Sequence, residues 1–462
     1  MTKTVGKMRP TVEANGFGFA MAYGSPMGSS DHGRNTAHHC WTILSQGHYI
    51  GKSVISAMLS LSMIESFAIL GREPELSVAE LEAVYGTAAI TVLNPEVALI
   101  HTPDEQGPYI DQLGGIIKLG TVVYRTPLNG DPIPVMAATL NASRVKPWLE
   151  PHMRDVGGSL YGGSVRLRGW LRKQMLELKK QLKASGRVVR IVASREPQLS
   201  SVTVTRQGLI THGREIVLIL TPTELIVGLT TAVQDYRAYT VRDRGRPSAD
   251  PRRGMIPPKL AQMMLHIAHV RPTDVLLDPF CGVGTILQEA AILGVRQMHG
   301  SDLDQAAVRA TQENMRWLFK EFTNLQSDVE ITQRDARQVS IRPSVIVTEP
   351  DLGVPMHGHE PMSFVTREAE RLEKLYLESL SRWHALLTPG GRVLLLVPAF
   401  QTKDGEVRID LASRSAQLGY NAQPMLSMPA AKMLEIKDST RLEYGRDDAR
   451  VRRVLHLWEK RD

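Results

Sequence analysis

The sequence predicts an α/β fold: a doubly wound, mostly parallel sheet over residues 259–462, preceded by two smaller α+β modules. Three observations predict it. From Lys259 onward helical periodicity alternates with short apolar runs, the pattern of parallel strands joined by crossover helices. The first of those runs, VLLDPF, leads directly into CGVGT, a glycine bend that opens a helix. Upstream, residues 63–145 and 146–235 each read as a compact set of short strands with an amphipathic helix.

Composition sets the outer limits. Of 462 residues, 42% are hydrophobic and 22% charged, an ordinary globular balance. The two cysteines, Cys40 and Cys281, lie too far apart in sequence to suggest a disulfide framework, so a reducing cytoplasm is expected. No apolar run reaches the ~20 residues of a membrane helix. The net charge of +7 is unevenly spread: Pro151–Gly254 carries 19 Lys and Arg against 8 Asp and Glu, or +11, leaving −4 for the remainder. A concentrated basic segment suggests a polyanionic partner.

Residues 1–62 are rich in Gly, Ser, Met and His without periodicity, and read as a tail or an extension before a start at Met63. GHYIGKS lacks the Walker spacing, and His32, His38, His39 and Cys40 fit no standard zinc pattern. From Met63, SFAILG reads as a strand and SVAELEAVYG as a helix, with Ser77 and Glu80 as a capping box. ITVLN and VALIH follow as strands, then a helix near PYIDQLGGIIKLG and the strand TVVYR, a ferredoxin-like order. In the second module SVRLRGWLRKQMLELKKQLKASG is a basic amphipathic helix ending at Gly186. VVRIVAS is a strand, LSSVTVTRQGLI a short helix or strand, and EIVLILTPTELIVGLTTAVQD a hairpin. Residues 236–258, rich in Pro, Gly and Arg, read as a linker. Near the C-terminus LASRSAQLGY reads as a helix, and AAKMLEIK and VRRVLHLWEK as strands of an antiparallel edge.

The strand tips of residues 259–462 carry the chemistry. Asp278 ends the first strand, and Gly282 and Gly284 allow close backbone approach to a ligand. Leu287 stands where a dinucleotide fingerprint has its third glycine, which disfavours a nicotinamide cofactor. About 20 residues after Gly282 the second strand ends in GSDLD, placing Asp302 to accept from ribose hydroxyls. The third ends in QRDA, where Asp335 can accept from an adenine amine and the Ala336 backbone can meet a ring nitrogen. Three acids beside a glycine bend fit S-adenosylmethionine, which has an ammonium, a ribose and an adenine but no phosphate. The fourth strand, SVIVT, stops on Glu349-Pro350-Asp351.

DPFCGVGTILQEA resembles the first motif of class I methyltransferases, specifically RNA amino-methyltransferases that carry a THUMP domain. VQDYRAYTVRDRGRPSADPRRGMIPPKLAQMMLHIA resembles the junction before the catalytic domain of the archaeal and eukaryotic tRNA (guanine-10) N2-methyltransferases. SFAILGREPELSVAELEAVYG, LSSVTVTRQGLITHGREIVLI with VGLTTAVQD, and RLEYGRDDARVRRVLHLWEK resemble their ferredoxin-like domain, THUMP core and C-terminal hairpin. The resemblance covers 63–462 and implies a THUMP-like module at 146–235 that docks tRNA, and a class I (Rossmann-like) methyltransferase domain at 259–462. Its cofactor residues are Asp278, Cys281, Gly282, Gly284, Thr285, Asp302, Leu303, Asp335 and Ala336. Candidates for RNA phosphate contact are Arg166, Arg168, Arg172, Lys173, Lys179, Lys180, Lys183 and Arg187.

Where the family ends its fourth strand in Asp/Asn-Pro-Pro-aromatic, this chain has Thr348-Glu349-Pro350-Asp351. By register Thr348 replaces the Asp or Asn, Pro350 matches the second Pro, and Asp351 replaces the aromatic. Glu349 becomes the expected acceptor for a base amine or its proton, with stacking from His357, His359 or Phe364. The alternatives are a turn in which Glu349 caps the following segment, an RNA-binding protein with a non-catalytic methyltransferase-like domain, and a DNA amino-methyltransferase.

Overall fold

The computed structural model describes residues 63–103, 107–192, 194, 196–249, 255–446 and 448–461, without the side chains of Val165 and Arg168. The chain divides into residues 1–61 and 62–462, and every described element belongs to the second unit. The expectations for the tail, including His32, His38, His39 and Cys40, lie outside the described residues.

The first half contains β1 (Met63–Leu70), α1 (Pro74–Tyr85), β2 (Ile90–Asn94), β3 (Val97–Pro103), β4 (Ile116–Pro127), α2 (Pro132–Thr139), α3 (Ala142–Val145) and β5 (Asp155–Tyr161). It continues with α4 (Val165–Ala184), β6 (Arg190–Val192), α5 (Ser201–Arg206), β7 (Gly213–Leu220) and β8 (Glu224–Val233). All eight strands share one sheet in the order β2-β3-β1-β4-β8-β7-β5-β6. β4 and β8 join the two predicted strand sets through an antiparallel ladder from Lys118↔Val233 to Pro127↔Glu224.

Two local expectations fail here. No helix forms near PYIDQLGGIIKLG: a 3-10 turn spans Ile110–Gln112, and Ile116 already belongs to β4. Nor do Ser77 and Glu80 form a capping box, because α1 starts earlier, with Pro74 at its first turn. Both residues are buried and grip the Gly114–Gly115 corner instead. Glu80 accepts from the N–H groups of Gly114 (2.8 Å) and Gly115 (2.7 Å) and meets His266 Nδ1 at 2.8 Å. Ser77 donates to the Gly115 carbonyl at 2.9 Å. A Cβ on Gly114 would stand 2.3 Å from the Lys259 carbonyl oxygen, so this corner needs glycine.

α4 buries Leu167, Leu171, Met175, Leu178 and Leu182, one helical face at 3.6-residue spacing. It ends as its glycine predicts: Gly186 takes φ +81°, and the Gly186 and Arg187 N–H groups return to Lys183 and Leu182 carbonyls. Beneath the sheet, Lys118 donates to Glu215 (2.6 Å) and the Leu199 carbonyl, while Ser159 and Thr230 also donate to Glu215. This buried pair is held by four hydrogen bonds, the condition under which buried charge is tolerated.

The predicted linker is partly helical: α6 (Tyr236–Arg244) is capped by Asp235, which accepts from the Arg237 and Ala238 N–H groups. After it come α7 (Pro258–Ile267), β9 (Val275–Asp278), α8 (Thr285–Ile292), β10 (Gln297–Asp302), α9 (Gln305–Glu321), β11 (Asp328–Gln333), β12 (Val345–Thr348) and α10 (Met362–Leu386). β13 (Arg392–Thr402), β14 (Gly405–Arg408), α11 (Ala412–Gln417), β15 (Tyr420–Ala422), α12 (Met428–Met433), β16 (Arg441–Tyr444) and β17 (Val451–Lys460) complete the chain. The sheet order is β11-β10-β9-β12-β13-β17-β15; the first five strands run parallel and β17 antiparallel. This is the Rossmann-like, doubly wound arrangement, with the expected antiparallel edge. AAKMLEIK contributes to a helix rather than a strand, because Ser427 caps α12 and Pro429 fits its first turn. Chain order reverses between β9 and β12, which opens a crevice at their C-terminal ends. Among the described residues no helix is long and apolar enough to cross a membrane.

Candidate functional site

A cleft of about 900 Å³ lies at those strand ends. It is lined by all the proposed site residues except Gly284 and Thr348. The glycine bend is built as the spacing predicts. Gly282 (φ +55°) and Gly284 (φ +82°) take left-handed conformations, and the Gly284 N–H returns to the Cys281 carbonyl at 2.7 Å. α9 holds the bend from behind: Thr311 donates to the Gly282 carbonyl (2.9 Å) and Asn314 to that of Val283 (2.8 Å). A Cβ on Gly284 would meet Thr311 Cγ2 at 2.7 Å, so Gly284 serves packing. Cys281 is buried, and burial pushes its thiol pKa well up, so it too belongs to the support of the bend.

Asp278 is fully buried at the tip of β9. It accepts from the Thr348 hydroxyl at 2.6 Å and the Phe280 N–H at 3.3 Å. Burial pushes its carboxyl up to about 7, with Asp302 and Glu349 adding to the rise and the two hydrogen bonds opposing it. Asp302 accepts from the Gly282 N–H (3.0 Å) and the Asp304 N–H (2.9 Å). A carboxylate has about four acceptor positions, so two further donors can be received. Leu303 is 69% exposed at the mouth. Asp335 caps the short turn Ala336–Gln338 and is forked by Arg337, which holds its pKa below the usual range. Arg337 also reaches Glu378 of α10 at 3.0 Å, so it bridges the β11 tip to the far wall.

The fourth strand departs from expectation. Thr348 does not face the cleft; it is completely buried and bound to Asp278. Glu349 does not cap the following segment; Arg453 of β17 donates to it at 2.5 Å. Burial raises the Glu349 pKa, and the Arg453 guanidinium holds it back. Asp351 accepts from the Gly353 N–H (2.9 Å) and pairs with Arg371 of α10 (2.8 Å). His357, His359 and Phe364 are exposed and do not line the cleft. The Glu360 carboxylate accepts the N–H groups of His357, Gly358 and His359 and folds that loop on itself. The aromatic ring in the lining is Phe280, packed edge-on against Trp383.

The arginines Arg453, Arg371 and Arg337 were not legible in the sequence, because each reaches the cleft from a different element. The junction gives a further surprise. Arg242 is buried against Glu289 of α8 at 2.8 Å, and Arg246 donates to the Thr285 hydroxyl at 2.7 Å. These two junction arginines brace the helix behind the glycine bend and are not available to phosphate. On α4, by contrast, Arg166, Arg172, Lys173, Lys179, Lys180 and Lys183 are exposed, with Leu176 among them. Arg187 is half-buried and donates to the Glu150 and Met153 carbonyls; the Arg168 side chain lies outside the description.

Residues 246–404 match the family model described as UPF0020: RMKL-like, methyltransferase domain. The matched segment begins at Arg246, the residue that docks on Thr285, and contains the glycine bend and the β9–β12 tips. A Methanothermobacter thermautotrophicus protein named tRNA (guanine(10)-N2)-dimethyltransferase is 35% identical over 161 residues, covering 34% of this chain and 43% of that protein. A Thermus thermophilus tRNA (guanine(6)-N2)-methyltransferase is 35% identical over 147 residues, covering 31% and 40% respectively. The chain thus spans less than half the length of these curated relatives. The crystal structure of TrmN from Thermus thermophilus superposes with a TM-score of 0.53 at 21% identity, over 86% of this chain and 100% of that one, which shows a shared fold.

Proposed function

We propose that the chain is an S-adenosylmethionine-dependent RNA methyltransferase acting on the exocyclic N2 of a guanosine in tRNA. The observation that carries this reading is the convergence of Asp278, Asp302 and Asp335 on one cleft beside the Gly282 bend. The names of the relatives matched in the methyltransferase domain support the same substrate.

The donor set suits the cofactor. Asp278 is a buried acid without a cationic partner in its hydrogen bonds, suited to an ammonium. Asp302 offers acceptor positions to a ribose diol, and Ala336 starts its turn with an N–H that has no partner within the turn. When bound, S-adenosylmethionine supplies a methyl group on a sulfonium sulfur, which becomes a neutral thioether as the methyl moves to nitrogen. Glu349 accepts an N–H of the base amine, orients its lone pair, and takes the proton that the nitrogen sheds. Phe280 and Leu303 offer apolar surface to the rings. Residues 146–235 serve as a THUMP-like RNA-binding module through the basic face of α4, in a cytoplasmic setting where tRNA is available.

A second reading, an RNA-binding protein with a non-catalytic methyltransferase-like domain, is favoured by the arginine pairing of Glu349 and Asp351 and the inward turn of Thr348. Incubation with bulk tRNA and labelled S-adenosylmethionine, followed by nucleoside mass spectrometry, separates the two. N2-methylguanosine is the expected product; cofactor binding with no methylated nucleoside supports the scaffold, and a methyl on another atom overturns the guanine assignment.

A further inference from the structure

We infer that Arg453 is a positioning residue that holds Glu349 as an aimed carboxylate and thereby sets the acid limit of methyl transfer. The inference rests on the proposed methyltransferase function, in which Glu349 accepts from the base amine. Register explains how a residue two strands away arrives there. Thr348, the last residue of β12, pairs with Leu395, whereas Arg453 on β17 pairs with Pro398, three residues further along β13. β13 outruns β12, so a side chain from β17 at that level can cross beyond the tip of β12. There Arg453 meets Glu349, and both are mostly buried, with side-chain exposures of 19% and 13%.

The surroundings make this cation necessary. Asp278 of β9 interacts electrostatically with Glu349, and Asp302 of β10 and Asp351 of the same loop line the same cleft, all acidic. Arg371 of α10 lines the same cleft but is engaged by Asp351 and Glu368 at 2.8 Å each. Burial favours the protonated form of Glu349 and the Arg453 cation opposes it, and a protonated Glu349 cannot take a proton from the base amine. Donation from Arg453 Nε to Glu349 Oε1 also fixes the orientation of the carboxylate, with Oε2 as the second acceptor.

The test compares Arg453→Lys, Arg453→Met and Glu349→Gln in the full chain, measuring methylation of tRNA from about pH 6 to 9. Arg453→Met is expected to lower kcat up to about tenfold at neutral pH with KM for tRNA little changed, and to move the acid limb upward by about one unit, so activity recovers at high pH. Arg453→Lys is expected to restore the wild-type limb to within a few-fold of its rate. With S-adenosylmethionine saturating at every pH, Glu349→Gln should abolish the limb. Calorimetric binding of S-adenosylmethionine at wild-type affinity verifies folding; if Arg453→Met fails that check, Arg453→Gln carries the comparison. An unmoved acid limb in the neutral variant, or lysine as impaired as methionine with its limb unmoved, overturns the role of Arg453 while leaving the guanine reading intact. Wild-type protein that makes no N2-methylguanosine instead overturns the reading beneath it.

Discussion

The Thr348 hydroxyl donates to Asp278 Oδ1 at 2.6 Å, a bond between the tips of adjacent strands β12 and β9. It lies under the cleft, and both residues are essentially solvent-free. The residue in register with the expected acid or amide is therefore turned inward onto Asp278, and Glu349 is the next residue to line the cleft.

Asp278 should make the affinity for S-adenosylmethionine depend on pH. Its carboxyl, ordinarily near 3.8, titrates near 7 in the free protein because of burial. A cationic ligand selects the ionised form, so below about pH 7 binding must release a proton and affinity should fall by up to about tenfold per unit. Above pH 7 it should level off. Folding stability takes the opposite sign: the native state holds this proton more tightly than the unfolded chain, so the contribution is full below about pH 4 and is lost as pH rises toward 7. Calorimetry of S-adenosylmethionine across pH 5–8, in buffers of differing ionisation enthalpy, checks the first point. A flat affinity with no proton release would contradict it, and Asp278→Asn should remove the dependence.

Thr348→Val keeps the shape and removes the donor. It should destabilise the fold by about 1–3 kcal/mol, since a buried acceptor loses its partner. It should also weaken cofactor binding about tenfold at neutral pH, because Asp278 then holds its proton more tightly. Thr348→Ser should retain both properties. Thermal unfolding and calorimetry of the two variants decide the matter; equal behaviour would assign the hydroxyl no role.

The Arg242–Glu289 pair ties α6 to the helix behind the glycine bend. With side chains 8% and 1% exposed, loss of one partner strands a buried charge. Arg242→Met should cost about 3–5 kcal/mol, and replacing both partners by apolar residues much less. Denaturant unfolding of the single and double variants measures the coupling, and additive losses would show that the two residues do not act together.

Replacing Lys173, Lys179, Lys180 and Lys183 by Gln should weaken tRNA binding and reduce the slope of log K against log salt by about 0.7–0.9 for each phosphate left without its lysine. Cofactor affinity should not change. Filter binding over a salt series reads both intercept and slope; an unaltered slope would place the RNA on another face.

Much of this protein is determined by short-range pattern. The alternation of helices and strands after residue 259, the left-handed Gly186 that ends α4, and the positive-φ turns at Gly282 and Gly284 follow from local stereochemistry. The delivery of Asp278, Asp302 and Asp335 to one cleft follows as well, because parallel strands bring their C-terminal ends to the same edge. Long-range packing decided the rest. Ser77 and Glu80 have the spacing of a capping box, yet the Gly114–Gly115 corner, more than 30 residues away, claims their hydrogen bonds. The junction looks like a flexible basic connector, yet Arg242 and Arg246 find partners on α8 that no local rule anticipates. The same holds at the fourth strand tip. Sequence shows that Glu349 and Asp351 are there, but which cation meets each depends on how far β13 outruns β12 and how α10 packs, and only the folded chain brings Arg453 and Arg371 to them. Backbone dihedrals are chosen by neighbours in sequence; the partners of a buried charge are chosen by neighbours in space.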